Sequence, residues 1–298
     1  LVAMVRPHVA VITTIAASHL GNFASLDEIA DAKAEIFTGL VPGGHAVVSR
    51  DTPYFERLAS AAKATGVAHV VSFGKHPEAD VRMERVALLP DCCCVTASVM
   101  GETIIYKLGL PGEHMAVNSL AVLAVAKLAG ADLARAALAL AAAAPAKGRG
   151  VRERLSIAGG ELLLIDESYN ANPASVWAAL GLLGAAQPGH GGRRIAALGD
   201  MLELGEKGPE LHAGLLEPMD AAKVDVLYAA GPLMANLWAR VPEKRRGAYA
   251  ATSEGLRDAL LAGLRPGDVV LIKGSLGSRM GPLVEAIRAA HPPLAKES

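Results

Sequence analysis

Leu163-Leu-Ile-Asp-Glu-Ser-Tyr-Asn-Ala-Asn-Pro173 is the stretch on which the reading of this chain turns. Its first three residues belong to an apolar run of strand length. Six polar side chains then lie between Asp166 and Asn172, and Pro173 opens a helical pattern. A plain strand-to-helix turn needs one capping residue, so this surplus of carboxylate, hydroxyl and amide groups points to a loop that carries chemistry.

Similar short apolar runs recur on either side of it. Leu162 to Ile165, Ile195 to Leu198, Val224 to Ala229 and Val269 to Ile272 alternate with helical stretches, the pattern of buried parallel strands covered by helices on both faces. The second half therefore reads as a doubly wound α/β domain. Ligands of such sheets gather beyond the carboxyl ends of the strands, which singles out the residues just after Thr13, Ile165, Leu198 and Ile272. In the first half, strand-like runs stand at Val9 to Thr13, Ala46 to Ser49, His69 to Phe73 and Thr103 to Leu108, with helical patterns expected after the first three. Two alanine-rich helical patterns follow, Met115 to Ala129 and Leu133 to Ala144. Ala144-Pro-Ala-Lys-Gly-Arg-Gly150 breaks the periodicity, so the expected domains are 1–147 and 148–298, each long enough to bury its own core.

Composition narrows the function. Twenty-nine basic residues against thirty acidic ones give no electrostatic case for nucleic-acid binding. The 52% hydrophobic content is inflated by alanine, and the uncharged runs His114 to Ala126 and Ala136 to Ala146 are too short to span a bilayer. No apolar leader opens the sequence. Cys92 to Cys94 are adjacent, without metal-ligand spacing, and read as buried strand residues of a reduced, cytoplasmic protein.

Ser25-Leu-Asp-Glu28 is a capping box that starts a helix. Leu26, Ile29, Ile36, Phe37 and Leu40 form its apolar stripe, and counting by threes and fours places Lys33 on the same face. A lysine there either packs its stem and keeps its ammonium wet, or is desolvated, which favours a neutral, reactive amine. His19, after the first strand, is its candidate partner, against the plainer reading of a hydrogen-bonded structural histidine.

These residues carry a resemblance. Val11-Ile-Thr-Thr-Ile-Ala-Ala-Ser-His-Leu20, Phe23, Ser25-Leu26 and Ala32-Lys-Ala-Glu-Ile-Phe37 are similar to the central-domain signature of the MurF branch of the Mur peptide ligases. The resemblance implies a partial central ATPase-type α/β domain followed by a doubly wound, Rossmann-like C-terminal domain. It implies magnesium held by His19 and by Lys33 as a carbamate. Gly21 and Thr14 depart from the glutamate and asparagine of many relatives.

Further blocks follow in family order. Gly112-Glu-His-Met-Ala-Val-Asn118 resembles Gly-x-His-Asn-x-x-Asn, with Met115 replacing the first asparagine; by resemblance Asn118 reads adenine. Arg149 matches a linker arginine that reaches the nucleotide, for which a planar guanidinium suits. The opening stretch resembles the family motif closely and implies nucleotide contacts at Asp166, Glu167 and Tyr169. Asn170 and Asn172 are implied catalytic residues near the terminal phosphate and incoming amine. Leu198-Gly-Asp-Met-Leu-Glu-Leu-Gly205, with His212 downstream, and Leu271-Ile-Lys-Gly-Ser-Leu-Gly-Ser-Arg-Met280 complete the set. They imply Lys273 and Ser275 at the substrate amino acid, supported by Asp200 and Glu203; Leu276 replaces a usual polar residue.

The implied reaction uses ATP to make an acyl phosphate on UDP-N-acetylmuramoyl-tripeptide. The amine of D-alanyl-D-alanine attacks it, in a monomer whose domains close about the linker. No Gly-x-x-x-x-Gly-Lys-Ser/Thr loop occurs in the 298 residues, so a fragment of a longer enzyme, inactive by itself, is expected. The alternatives are a sister Mur or folylpolyglutamate-type ligase, and an inactive nucleotide-binding scaffold. A dinucleotide oxidoreductase is disfavoured because no Gly-x-Gly-x-x-Gly follows a strand.

Overall fold

The computed structural model describes residues 2–16, 23, 25–67, 69–89 and 91–294. The chain forms two compact units, one of Leu1–Ala16 and Phe23–Ala144 and the other running through Pro145–Ser298.

In the first unit, six strands lie side by side in chain order: β1 (Val9–Ile12), β2 (His45–Ser49), β3 (His69–Gly74), β4 (Val81–Leu88), β5 (Cys93–Val99) and β6 (Glu102–Leu108). β1 to β4 are parallel neighbours, and β5 and β6 complete the sheet antiparallel. The helix Glu113–Leu128 buries Ala116, Leu120, Leu123 and Ala124 in a cluster with Val47, Phe73, Val95 and Val99. The helix expected after the third strand is absent among the described residues. β4 and β5 follow instead, because Val81 and Met83 alternate inward with strand period. Of the adjacent cysteines, all expected to be buried, Cys93 is buried while Cys94 is exposed, because successive strand residues point to opposite faces and one face of β5 is less covered.

The second unit contains β7 (Val151–Ile157), β8 (Gly160–Glu167), β9 (Arg194–Gly199), β10 (Val226–Ala230), β11 (Arg246–Ala250) and β12 (Val269–Lys273). Their order is β11-β10-β9-β12-β8-β7, all parallel except for the edge strand β7. All five residues of β12 are buried. Val269 and Leu271 join the cluster of Ile165, Leu180 and Leu198. Val270 and Ile272 join Leu164, Ile195 and Leu283 on the opposite face. Apolar burial on both faces is the doubly wound arrangement expected from sequence.

The order of the strands places the chemistry. The chain runs outward from β8 through β9, β10 and β11, then returns to insert β12 between β8 and β9. Lys273 consequently stands in register with Glu167 on one side and Leu198 on the other. Three loops, following β8, β9 and β12, share one rim at the carboxyl ends of the strands, where a reversal of strand order opens a crevice.

Candidate functional site

At the centre of this rim Lys273 is only 2% exposed. Its Nζ donates to the Asn170 carbonyl at 2.9 Å and lies 3.4 Å from Oε2 of Glu167. Burial pushes the ammonium below its usual pKa and lifts the Glu167 carboxyl above its own, and in each case the attraction between them opposes the shift. Lys273 therefore holds the loop after β8 to the end of β12 through a backbone carbonyl. Its ammonium is already engaged, so it shapes the wall of the site.

The linker lies along the same loop. Gly150 N donates to the Asp166 carbonyl and Tyr169 N to the Gly148 carbonyl, at 2.8 and 3.1 Å. Gly148 adopts a positive φ of 73°, and a Cβ there would press on Tyr169 at 3.0 Å, so glycine suits this approach. Arg149 is exposed, with its guanidinium carbon 4.2 Å from the centre of the Tyr169 ring. Tyr169 is 46% exposed. A cation stacked on an open aromatic face can receive an anion at its free edge.

Asp166 is buried. Its Oδ1 accepts from Ser168 N and Oγ at 3.1 and 2.6 Å, and Oδ2 is 3.4 Å from the Arg288 guanidinium, which also binds Glu153. This carboxylate fixes the turn. Asn172 caps the helix Pro173–Ala185: its Oδ1 accepts from Ser175 N at 2.8 Å while Ser175 Oγ accepts from Asn172 N at 2.9 Å. That reciprocal cap satisfies two otherwise orphaned donors. Asn170 Oδ1 accepts from the neighbouring Ala171 N at 2.9 Å.

The loop after β9 is pinned at successive residues. Asp200 accepts Leu233 N and Met234 N on its carboxylate, at 3.2 and 2.8 Å, and Ser275 N on its carbonyl at 3.0 Å. His212 Nε2 accepts Met201 N, and Ser275 Oγ accepts Leu202 N, each at 2.9 Å. Ser275 Oγ in turn donates to the Ala171 carbonyl at 3.2 Å. Asp200 is thus a loop anchor, whereas Glu203 is exposed at a positive φ of 63°.

Between the three loops lies a cleft of about 220 Å³, lined by Tyr169 to Asn172, Leu202 to Leu204 and Ser275 to Gly277. Asn170, Asn172 and Glu203 line the same space as Leu202 and Leu276, and Leu276 is 67% exposed. Such a mixture suits a small molecule with a charged or amide end and short apolar substituents.

The candidates of the first unit are placed differently. Asn118 is exposed on the helix Glu113–Leu128. Lys33, expected on a buried face, is exposed. Only Ile29 and Ala30 of the helix Leu26–Ala34 are buried, and the chain passes into a 3-10 helix over Glu35–Gly39. The stripe is too narrow to enclose a long cationic side chain, which reaches water instead. His19 lies outside the described residues. Among the described residues no group of three or more His, Cys, Asp or Glu side chains could hold a metal ion, and no helix is long and apolar enough to cross a membrane.

Residues 1–126 match the Mur ligase middle domain, and residues 153–276 match the Mur ligase, glutamate ligase domain. The chain belongs to the Mur ligase family. UDP-N-acetylmuramoyl-tripeptide--D-alanyl-D-alanine ligase of Mycobacterium tuberculosis strain CDC 1551 / Oshkosh is 32% identical over 306 residues, covering 95% of this chain and 58% of that protein. The Escherichia coli K12 protein of the same name is 31% identical, covering 96% and 61%. A crystal structure of MurF from Acinetobacter baumannii superposes with a TM-score of 0.83 at 28% identity, over 97% of this chain and 61% of that one. This Mur ligase chain thus spans about 60% of the length of these relatives.

Sequence reading missed how this Mur ligase rim is braced. Arg288, Ser168 and the backbone carbonyls of Asn170 and Ala171 do the bracing. A carbonyl acceptor leaves no mark in the residue types, and Arg288 sits 122 positions from its partner Asp166.

Proposed function

We propose that this chain supplies nucleotide-facing and amine-facing parts of an ATP-dependent ligase that joins D-alanyl-D-alanine to UDP-N-acetylmuramoyl-tripeptide. This would be a cytoplasmic step of peptidoglycan precursor synthesis. The observation that carries the reading is the cleft at the ends of β8, β9 and β12, where Glu203 and the two asparagines meet the apolar Leu202 and Leu276. D-Alanyl-D-alanine offers the complementary set: an ammonium, an amide and two methyl groups. The names of the relatives agree with that substrate.

In the proposed reaction the terminal carboxylate of the precursor attacks the γ-phosphorus of ATP, releasing ADP and leaving an acyl phosphate. The amine nitrogen then attacks the acyl carbon, inorganic phosphate departs, and the nitrogen loses its proton as the amide forms. Arg149, open on its free side above Tyr169, offers a planar fork to phosphate oxygens. Glu203 receives the ammonium of the incoming dipeptide, and Leu202 and Leu276 take its methyl groups. Lys273, through the Asn170 carbonyl, keeps the asparagine wall in place, and pre-set geometry of this kind lowers the cost of aligning amine and acyl carbon. Asn118 is assigned to the adenine by resemblance. A magnesium ion would offset repulsion between phosphate and acyl phosphate. His19 and a carbamylated Lys33 are assigned to it by resemblance alone, since the described residues provide no donor cluster, and no step is routed through it.

Direct titration of the 298-residue chain with D-alanyl-D-alanine, D-glutamate and L-glutamate, followed by ligand-observed NMR, tests the reading. Binding of the dipeptide in preference to either glutamate supports it. Preferential binding of a glutamate would move the chain to a sister amide ligase.

A further inference from the structure

Beyond the rim, one imidazole is enclosed completely. His212, in the helix Gly208–Ala213, has no exposed surface. Both ring nitrogens are engaged: Nδ1 lies 2.6 Å from the Gly208 carbonyl and Nε2 lies 2.9 Å from Met201 N. A backbone N–H can only donate and a carbonyl can only accept, so the proton sits on Nδ1 and the lone pair on Nε2. The ring is therefore neutral in this arrangement. Its charged neighbour is Asp200, whose Oδ1 is 4.0 Å from Nε2 and whose carboxylate is committed to Leu233 N and Met234 N.

Met201 follows that carboxylate and precedes Leu202, Glu203 and Leu204, which line the cleft. Asp200, Met201 and Leu202 are each tied down, by the 233–234 amides, by His212 and by Ser275 respectively. The backbone then turns through positive φ at Glu203, a conformation that costs a non-glycine residue and persists only where the surroundings enforce it. Of the three ties, only the one at Met201 depends on an uncharged imidazole.

We propose that His212 is a positioning residue for amine selection: as neutral acceptor of the Met201 amide, it sets the turn that presents Leu202 and Glu203 to the incoming amine. The inference rests on the cleft being the amine pocket. His212 touches no substrate, and its effect falls on recognition of the amine.

Two variants of the 298-residue chain test it. His212→Leu keeps much of the bulk and removes the acceptor. His212→Gln places an amide oxygen near the position of Nε2. Expected are the Nδ1–H tautomer in ¹⁵N-histidine spectra of the unsubstituted chain and slow hydrogen exchange at Met201 and Leu202. In His212→Leu, exchange at these amides accelerates and D-alanyl-D-alanine binding weakens by about tenfold or more, the scale of an unsatisfied buried donor. In His212→Gln both return to within about threefold of the original. Unchanged binding in a folded His212→Leu chain would overturn the proposal, as would the Nε2–H tautomer in the unsubstituted protein. Should His212→Leu fail to fold, the tautomer and the His212→Gln chain decide. If the unsubstituted chain does not bind the dipeptide, the amine-pocket reading fails and amine selection by His212 falls with it, while the tautomer and the exchange rates still show whether His212 holds the turn.

Discussion

Lys273 and Glu167 stand opposite one another on adjacent parallel strands, with Nζ 3.4 Å from Oε2, and the same ammonium donates to the carbonyl of Asn170. One buried cation thus ties the end of β12 both to a side chain and to the loop that β8 feeds. Removing it strands a largely buried carboxyl.

Lys273→Met is expected to destabilise the chain by about 3 kcal/mol, the lower part of the range for breaking a buried pair, because Glu167 keeps some access to water and can take up a proton. Lys273→Met with Glu167→Gln should regain more than half of that loss. Urea denaturation at neutral pH measures both, and equal stability of the single and double variants would show that a stranded Glu167 carboxyl is not what the Lys273→Met chain loses.

Asn172→Ala removes the cap of the helix Pro173–Ala185, and a loss of about 1 kcal/mol is expected from the cap alone. Asn172→Ser, which retains a capping oxygen, should lose only a few tenths of that. If serine proves as damaging as alanine, the asparagine contributes through something other than its cap.

Acid should loosen the rim through His212. Burial holds its pKa below the ordinary value of 6.5, so the unfolded chain takes up a proton before the folded chain does. The stability it contributes is complete above that ordinary value and is lost as pH falls toward the depressed one. Glu167, raised by burial, acts with the opposite sign, losing its contribution as pH rises above the usual carboxylate value. The difference in unfolding free energy between the original chain and His212→Gln isolates the imidazole. It should shrink or reverse as pH falls below 6.5, and a difference independent of pH would contradict a neutral His212.

Leu271 lies in the middle of β12, fully buried among Ile165, Leu180 and Leu198. Leu271→Ala should cost between about 2 and 5 kcal/mol, as cavities in packed cores do. A loss under about 1 kcal/mol would mean that the two neighbouring strands close the gap.

The second unit was readable because its parallel strands are short apolar runs, and because the change of character at Asp166 marks a strand end. The edge strands β7 and β11 escaped notice. Val151-Arg-Glu-Arg-Leu155 carries three charged residues in succession and lacks a continuous apolar run. β4 was missed, and β5 was read as strand only at its cysteines, for a related reason, since antiparallel strands with one wet face alternate and do not cluster their apolar residues. Of the candidate residues, Glu203, Asn170, Asn172 and Ser275 do meet at one cleft. Lys33 was misjudged because spacing gives only a direction around a helix, and not how far the covering layer extends along it. The roles of Asp200 and His212 as backbone anchors were invisible, since their partners are amides and carbonyls common to every residue, and Asp166 meets Arg288, which is 122 positions away.

The most direct test of the amine-pocket reading is an amide-resolved NMR titration of the 298-residue chain with D-alanyl-D-alanine. The account predicts saturable shifts concentrated at Asn170, Asn172, Leu202, Glu203, Ser275 and Leu276. Saturable shifts elsewhere with these six amides unmoved, or no saturable shift at all, would contradict it.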